Sequence, residues 1–120
     1  MASMAGYPGA CMISPTRGTI GFGILRPYHP APTFGATAEI AYFLKSGHTR
    51  RGLGQRLLAY LEDRARERGI SQLLANVSSL NPASRAFHLK NDFREAGRFT
   101  QVVTKGDQTF DVIWMQKHLE

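Results

Sequence analysis

The chain has 120 residues, of which 42% are hydrophobic and 10% aromatic, and its single cysteine is Cys11. This length suits one globular domain with its own core, and a lone cysteine excludes an intrachain disulfide framework and a cysteine-based metal cluster. The 15 Lys and Arg residues outnumber the 9 Asp and Glu residues, giving a net charge of +6. The charge favours anionic partners without choosing among them.

No stretch of the sequence resembles a membrane span or a secretory signal. A span needs roughly 18 consecutive apolar residues, and residues 1–15 lack the basic and apolar regions of a signal peptide. We therefore expect a soluble, cytoplasmic protein with no membrane partner. A single domain is predicted over residues 1–120, with residues 1–9 poorly ordered.

The first third of the chain predicts three strands. Residues 10–13 and 18–28 are candidate strands of a hairpin, and the proline-rich stretch "HPAPTFGAT" that follows is a predicted loop. The third strand, "AEIAYFLK", is apolar and aromatic apart from one carboxylate, Glu39. A charged residue inside such a strand is the anomaly of this region.

From Gly52 onward the apolar period changes from that of a strand to that of a helix. Apolar residues recur at three- to four-residue steps, at Leu53, Leu57, Leu58, Leu61 and Ala65. Gly69 is a suitable stop after this amphipathic helix. The apolar segment 70–79 then predicts a strand, so strand, helix and strand form a β-α-β unit.

A second, shorter helix and a hairpin complete the predicted fold. In "NPASRAFHLKN", Asn81 is the predicted N-cap, Pro82 the first helical residue and Asn91 a left-handed cap. Two strands around the turn "KGDQ" follow. The order β-β-β-α-β-α-β-β predicts an α/β (α+β) fold with a mixed, mostly antiparallel sheet, a central β-α-β unit and helices packed on it.

The glycines before the first helix predict an anion site. The first turn of a helix has unpaired N–H groups and partial positive charge, and a side chain at Gly52 or Gly54 would keep a phosphate away from them. A dinucleotide fingerprint is excluded because Leu57 occupies its third glycine position, and a P-loop lacks its Lys-Ser/Thr pair. On the loop alone, a tight turn beside solvated arginines explains these residues equally well.

The chain resembles the GNAT N-acetyltransferases from about Thr19 to Leu119. "AEIAYFLKSGHTRRGLGQRLLAYLEDRARERG" is similar to their acetyl-CoA core, with its Gln/Arg-x-x-Gly-x-Gly/Ala fingerprint, and "NPASRAFHLKNDF" is similar to their second-helix segment. The strand Glu, the helix His and the tail "KGDQTFDVIWMQKHL" point to the phosphinothricin acetyltransferase-like branch. The resemblance implies a GNAT-like fold and acetyl-CoA as co-substrate.

The resemblance also implies which residues bind acetyl-CoA. The pyrophosphate would lie on the backbone amides of Thr49, Arg50, Arg51, Gly52, Leu53 and Gly54. Thr49 departs from the usual Gln or Arg. The pantetheine arm would pair with strand residues Tyr42, Phe43 and Leu44, and Asn81 and Lys90 would approach the cofactor from the second helix.

The residues implied as catalytic are Glu39 and His88. Glu39 matches the proposed general base, and we expect partial desolvation to raise its pKa so that it accepts the amine's proton. The alternative from alternation alone is a Glu on the solvent side of a strand. His88 would assist proton transfer, although a helix histidine is ordinarily a packing or surface residue. Asp92 replaces the family's usual glycine before Phe93.

Family members begin with a strand and two helices that have no counterpart here. The resemblance therefore implies either a shortened N-terminus or an acceptor wall supplied by a partner chain, with a homodimer as the family expectation. We expect a small amino-acid-like amine as acceptor, with no metal and no nucleic acid partner. The alternative function is a truncated, non-catalytic CoA-binding or dimerisation module.

Overall fold

The computed structural model describes residues 11–13, 21–44 and 53–120. Its elements are β1 (Cys11–Ile13), β2 (Gly21–Pro27), a 3-10 turn (Pro32–Phe34), β3 (Thr37–Leu44), α1 (Leu53–Glu67), β4 (Gln72–Ser78), α2 (Pro82–Lys90), β5 (Arg94–Lys105) and β6 (Gln108–His118). This order confirms the predicted one, and the mixed, mostly antiparallel α/β class is confirmed with it. The described residues form two compact units, the first from those up to residue 73 together with 119–120 and the second from residues 74–118.

In the first unit, α1 packs against the strands β2 and β3. Its buried leucines, Leu57, Leu58 and Leu61, form the predicted stripe and carry its apolar contacts. The helix approaches β2 so closely at Gly23 that an added Cβ would lie 2.5 Å from Leu61 Cδ1. A side chain at that point of the strand would therefore force the Leu61 side chain to shift.

Helix α1 ends in a Schellman motif around Gly69, which confirms the predicted stop. The Ile70 N–H donates to the Ala65 carbonyl at 2.9 Å, and the Gly69 N–H donates to the Arg66 carbonyl at 3.0 Å. Gly69 has φ +75°, a conformation that residues with a Cβ adopt at a cost. Ala65 and Ile70 are both buried, which gives the motif its apolar contact.

In the second unit, β6 lies between β4 and β5, and β5 pairs antiparallel with β6. The predicted hairpin turn is confirmed, since Lys105 lies opposite Gln108 and Gly106 has φ +62°. Between Phe99 and Val103 the ladder is interrupted by a bulge. The core of this unit comes from buried residues of β4, of β6 and of the position just before β5, namely Ala75, Val77, Ile113, Met115 and Phe93.

Helix α2 begins as predicted and ends differently. The Asn81 side chain accepts a hydrogen bond from the Ser84 N–H at 3.1 Å, which confirms the N-cap. The predicted left-handed cap at Asn91 is wrong, because Asn91 has φ −102° and the left-handed residue is Asp92, with φ +72°. The motif is set one residue later because Phe93, which follows it, is buried.

Within the described residues no helix is long and apolar enough to cross a membrane.

Candidate active site

Glu39 lies in the middle of β3, directly opposite Arg26 of β2. The Arg26 Nη2 donates to Glu39 Oε2 at 3.0 Å, and the two side chains are 50% and 14% exposed. The neighbours Ala38 and Ile40 are buried, so alternation directs Glu39 away from the core that they enter. The carboxylate is therefore partly shielded from water and held by a cation on the adjacent strand.

An aromatic cluster follows Arg26 in the loop between β2 and β3. The Phe34 ring lies 5.6 Å from the Tyr28 ring and 4.8 Å from the His29 ring, centroid to centroid. The His29 Nδ1 accepts a hydrogen bond from the Ala31 N–H at 3.0 Å, which fixes the imidazole. Tyr28 and Phe34 remain exposed, so the cluster offers apolar surface in the loop that joins the strands of Arg26 and Glu39.

Neither Arg26 nor this cluster was predicted as part of the site. The stretch "PYHPAPTF" carried a signal, since three aromatic rings in a loop stiffened by prolines are a candidate binding surface. Arg26 has no comparable signal, because its pairing with Glu39 depends on the β2–β3 register.

The predicted pyrophosphate loop falls largely outside the described residues. The predicted residues that lie outside are Thr49, Arg50, Arg51 and Gly52. The other two, Leu53 and Gly54, begin α1. Gly54 is buried and the first turn of α1 contains no acidic residue. The first turn of α1 therefore lacks the negative charge that would repel a bound pyrophosphate, and helix starts in general offer backbone amides to such a group.

Tyr42, Phe43 and Leu44 end β3, and their backbones lie opposite Gly23, Phe22 and Gly21 of β2. This extended backbone is the kind that pairs with an amide-containing arm such as pantetheine. Their predicted contact with the cofactor stays a prediction.

The other predicted cofactor residues lie on α2. The Asn81 oxygen caps the helix, as described above, which leaves the amide nitrogen as its donor group. Lys90 is exposed in the last turn. Their roles toward the cofactor also stay predictions.

His88 is the buried polar residue of α2, with 4% of its surface exposed. Its Nδ1 lies 2.7 Å from the Ser84 carbonyl oxygen. Its ring meets Phe93 edge-on at 4.9 Å and Phe87 at 5.6 Å. Burial lowers the pKa of His88 below 6.5, against the smaller opposing effect of the Ser84 hydrogen bond. The imidazole is therefore neutral at physiological pH.

Hydrogen bonds around Asp111 hold the β5 bulge, and no sequence pattern predicted them. Asp111 Oδ1 accepts from the Gln101 N–H at 2.8 Å, and Oδ2 accepts from Arg98 Nη1 at 2.9 Å. The Asp111 N–H donates to Ser79 Oγ at 2.9 Å. The Gln101 N–H, followed by Arg98, lowers the pKa of the Asp111 carboxyl. An ionised Asp111 thus stabilises Gln101 at φ +54°.

The described residues contain no group of three or more His, Cys, Asp or Glu side chains placed to hold a metal ion. In the first unit the predicted site residues Glu39, Tyr42–Leu44, Leu53 and Gly54 belong to β3 and the start of α1. In the second unit Asn81, His88 and Lys90 belong to α2 or its cap.

Residues 8–93 match the model of the Acetyltransferase (GNAT) family. The L-amino acid N-acyltransferase MnaT of Escherichia coli K12 is 30% identical over 119 residues, which cover 98% of this chain and 68% of that protein. The L-methionine sulfoximine/L-methionine sulfone acetyltransferase of Pseudomonas aeruginosa is 29% identical over 115 residues, covering 96% of this chain and 67% of that protein. The chain thus spans about two thirds of these relatives.

Solved structures agree with this assignment. An acetyltransferase from Salmonella typhimurium, solved with its cofactor acetyl-CoA, superposes with a TM-score of 0.88 at 28% identity, over 96% of this chain and 66% of the other. The ribosomal-protein-alanine N-acetyltransferase of Brucella melitensis gives 0.87 at 31% identity, over 96% and 70%. The family match and these likenesses show that the chain belongs to the GNAT family, the acetyl-CoA-dependent N-acetyltransferases.

Proposed function

We propose that this protein transfers an acetyl group from acetyl-CoA to the primary amine of a small amino-acid-like acceptor, of the phosphinothricin or methionine sulfoximine type. The transfer takes place by direct attack in a ternary complex. The observation that carries the proposal is the partly buried carboxylate of Glu39 on β3, the strand that precedes the glycine loop. Its Oε2 lies 3.0 Å from Nη2 of Arg26 on β2. The names of relatives such as phosphinothricin N-acetyltransferase from Streptomyces coelicolor, 27% identical over 100 residues, support the acceptor class.

The donor would be bound by residues of β3, the glycine loop and the two helices. The start of α1 supplies the amides for the pyrophosphate, together with the loop residues Thr49–Gly52. Tyr42–Leu44 supply extended backbone for the pantetheine arm, and Asn81 and Lys90 supply further polar contacts. Acetyl-CoA brings an activated thioester, so the protein's task is to orient the donor and to remove a proton from the acceptor.

Glu39 is the proposed general base. An amine must lose a proton to attack a thioester, and an ionised carboxylate accepts it directly or through a water molecule. The amine nitrogen bonds to the acetyl carbon, the carbon–sulfur bond breaks, and the coenzyme A thiolate leaves and takes up a proton. His88 assists that proton transfer. The aromatic cluster of Tyr28, His29 and Phe34 would contribute apolar surface for the acceptor.

The proposal is tested by thiol release with phosphinothricin and methionine sulfoximine as acceptors. Glu39→Gln should lower kcat/KM by roughly a hundredfold, the lower end of what general base catalysis contributes, while acetyl-CoA binding is unchanged. Glu67→Gln is the matched control, because Glu67 is an exposed carboxylate that is likewise paired with an arginine, Arg64.

The alternative, a non-catalytic CoA-binding or dimerisation module, predicts a different result. Saturable acetyl-CoA binding by calorimetry, no turnover with any small amino acid and indifference to Glu39→Gln would favour it over the enzyme. A cytoplasmic homodimer is part of our proposal on family grounds, and light scattering of the purified chain would check the dimer.

A further inference from the structure

The face of β2 and β3 that carries Arg26 and Glu39 is turned away from α1. An added Cβ at Gly23 would meet Leu61 of α1, so Gly23 faces that helix. Arg26 lies three residues further along β2, and strand alternation turns it to the opposite face. Half of its side chain is exposed there. A small molecule can therefore reach Arg26 without any movement of α1.

The Arg26 guanidinium has more donors than its contact with Glu39 uses. An arginine side chain carries five N–H groups in a planar fork and has no acceptor. Among the described residues, the hydrogen bond of this guanidinium is the one from Nη2 to Glu39 Oε2. Most of its N–H groups are therefore available to a ligand. A carboxylate or a phosphate group matches such a fork of parallel donors.

The charges of the ion pair distinguish between these anions. Glu39 places a negative charge 3.0 Å from Arg26, so a phosphate dianion would meet repulsion as well as attraction. A ligand with a cation and an anion side by side complements both members of the pair. An α-amino acid is such a ligand, because its ammonium and carboxylate groups are attached to the same carbon atom.

The ion pair does not prevent Arg26 from binding a carboxylate. A pair that contains a half-exposed arginine is stabilised weakly, because water screens the charges and two side chains lose conformational freedom. The guanidinium can therefore turn toward a ligand, or bind it while it still contacts Glu39, at little cost.

Exposed aromatic surface lies on the same face, further along β2. The Tyr28 N–H donates to the Thr37 carbonyl at 3.4 Å, so the β2–β3 pairing continues to Tyr28. Tyr28 lies two residues after Arg26, and alternation therefore directs both side chains to one face. Phe34 lies beside the Tyr28 ring and is exposed with it. An amino acid with its carboxylate on Arg26 thus has apolar surface nearby for its side chain.

We propose that Arg26 binds the α-carboxylate of the acceptor, so that the protein selects free amino acids over amines without an adjacent ionised carboxylate. The amino-terminal residue of a peptide belongs to the second group, because its carboxyl group is an uncharged amide. Arg26 is then a specificity-determining residue. The preference in acetyl transfer rests on the proposed function, whereas the preference in binding does not.

Two acceptors that differ in one charge test the proposal in the whole chain. L-methionine sulfoximine has the carboxylate that Arg26 would bind, and its α-carboxamide lacks it. Arg26→Gln should lower kcat/KM for the free acid roughly tenfold to a hundredfold more than for the carboxamide, which is the contribution of a charge-assisted hydrogen bond. The variant changes the surroundings of Glu39 for both acceptors alike, so the difference reports the carboxylate contact.

Arg64→Gln is the matched control, because Arg64 is an exposed arginine of α1 in an ion pair with Glu67 at 3.4 Å. It should leave kcat/KM for both acceptors unchanged. An equal loss for the two acceptors in Arg26→Gln, or the same selective loss in Arg64→Gln, would overturn the role of Arg26.

Calorimetry of acceptor binding, with coenzyme A present in place of acetyl-CoA, separates this inference from the proposed function. We expect wild-type protein to bind the free acid more tightly than the carboxamide, and Arg26→Gln to bind them equally. That result without any acetyl transfer would overturn the proposed function and leave the role of Arg26 intact. Turnover of both acceptors with an equal loss in Arg26→Gln would do the reverse. If the variant does not fold, equal wild-type affinity for the two acceptors would overturn the role of Arg26, and no binding of either would overturn both.

Discussion

The two helices end in the same hydrogen-bonded motif but place different residues at its left-handed position. In α1 that residue is Gly69, with φ +75°, and in α2 it is Asp92, with φ +72°. Gly69 adopts this conformation without a Cβ penalty, whereas an L-residue pays about 1 kcal/mol there. Helix α2, which carries the predicted site residue His88, therefore ends with strained backbone four residues later, whereas α1, whose last turn carries no predicted site residue, ends on an unstrained glycine.

The largest expected effect comes from the buried residue that follows each left-handed position. Phe93→Ala should lower the free energy of unfolding by about 3–5 kcal/mol, and Ile70→Ala by about 2–4 kcal/mol, because each removes a buried side chain. Denaturant unfolding measures both. Equal small losses would mean that the apolar contact does not hold either helix end.

A smaller effect is expected when α1 is given the residue of α2. Gly69→Asp should destabilise the chain by about 1 kcal/mol, because a Cβ at this φ is strained. Among the described residues, no atom beyond the two chain neighbours lies within 4 Å of the added Cβ, so the loss would report the backbone conformation. Gly97→Asp, at another open glycine without positive φ, is the control, and an equal loss there would contradict this reading.

The reverse substitution should stabilise the protein. Asp92→Gly is expected to raise the free energy of unfolding by about 0.5 kcal/mol, because relief of the left-handed strain exceeds the entropy cost of glycine. Thermal and urea unfolding would measure the change. A loss of stability would show that the Asp92 side chain makes a compensating interaction.

The pH dependence of the free energy of unfolding should also differ between variants at the two helix ends. The pKa of His88 is below 6.5 in the folded chain, so below pH 6.5 the unfolded state binds more protons and the free energy of unfolding falls. The loss should begin near pH 6.5 and continue as pH falls through the folded pKa. His88→Gln should show a shallower pH dependence, whereas Gly69→Asp should leave the wild-type slope between pH 7 and pH 5 unchanged.

Periodicity was enough to predict the order of elements, and local capping chemistry was enough to predict Asn81 and Gly69. The left-handed residue of α2 was misplaced by one position, because Asn is the better left-handed former and the burial of Phe93 decides the register of the cap. Contacts between residues far apart in sequence could not be predicted, because they depend on the strand register. Examples are the ion pair of Arg26 with Glu39 and the hydrogen bond of Asp111 with Gln101. The cofactor residues 49–52 lie outside the described range, so their assignment stays a prediction.

The absence of a side chain at Gly23, where α1 packs on β2, also bears on ligand affinity. It lets Leu57 and Leu61 of α1 lie directly against β2, and the same helix begins with Leu53 and Gly54. We expect a side chain at this strand position to crowd Leu57 and Leu61 and to shift the helix, and with it the amides that we propose for the donor's phosphates. If the donor binds there as proposed, a substitution at this core position becomes a way to tune its affinity without touching a residue of the site.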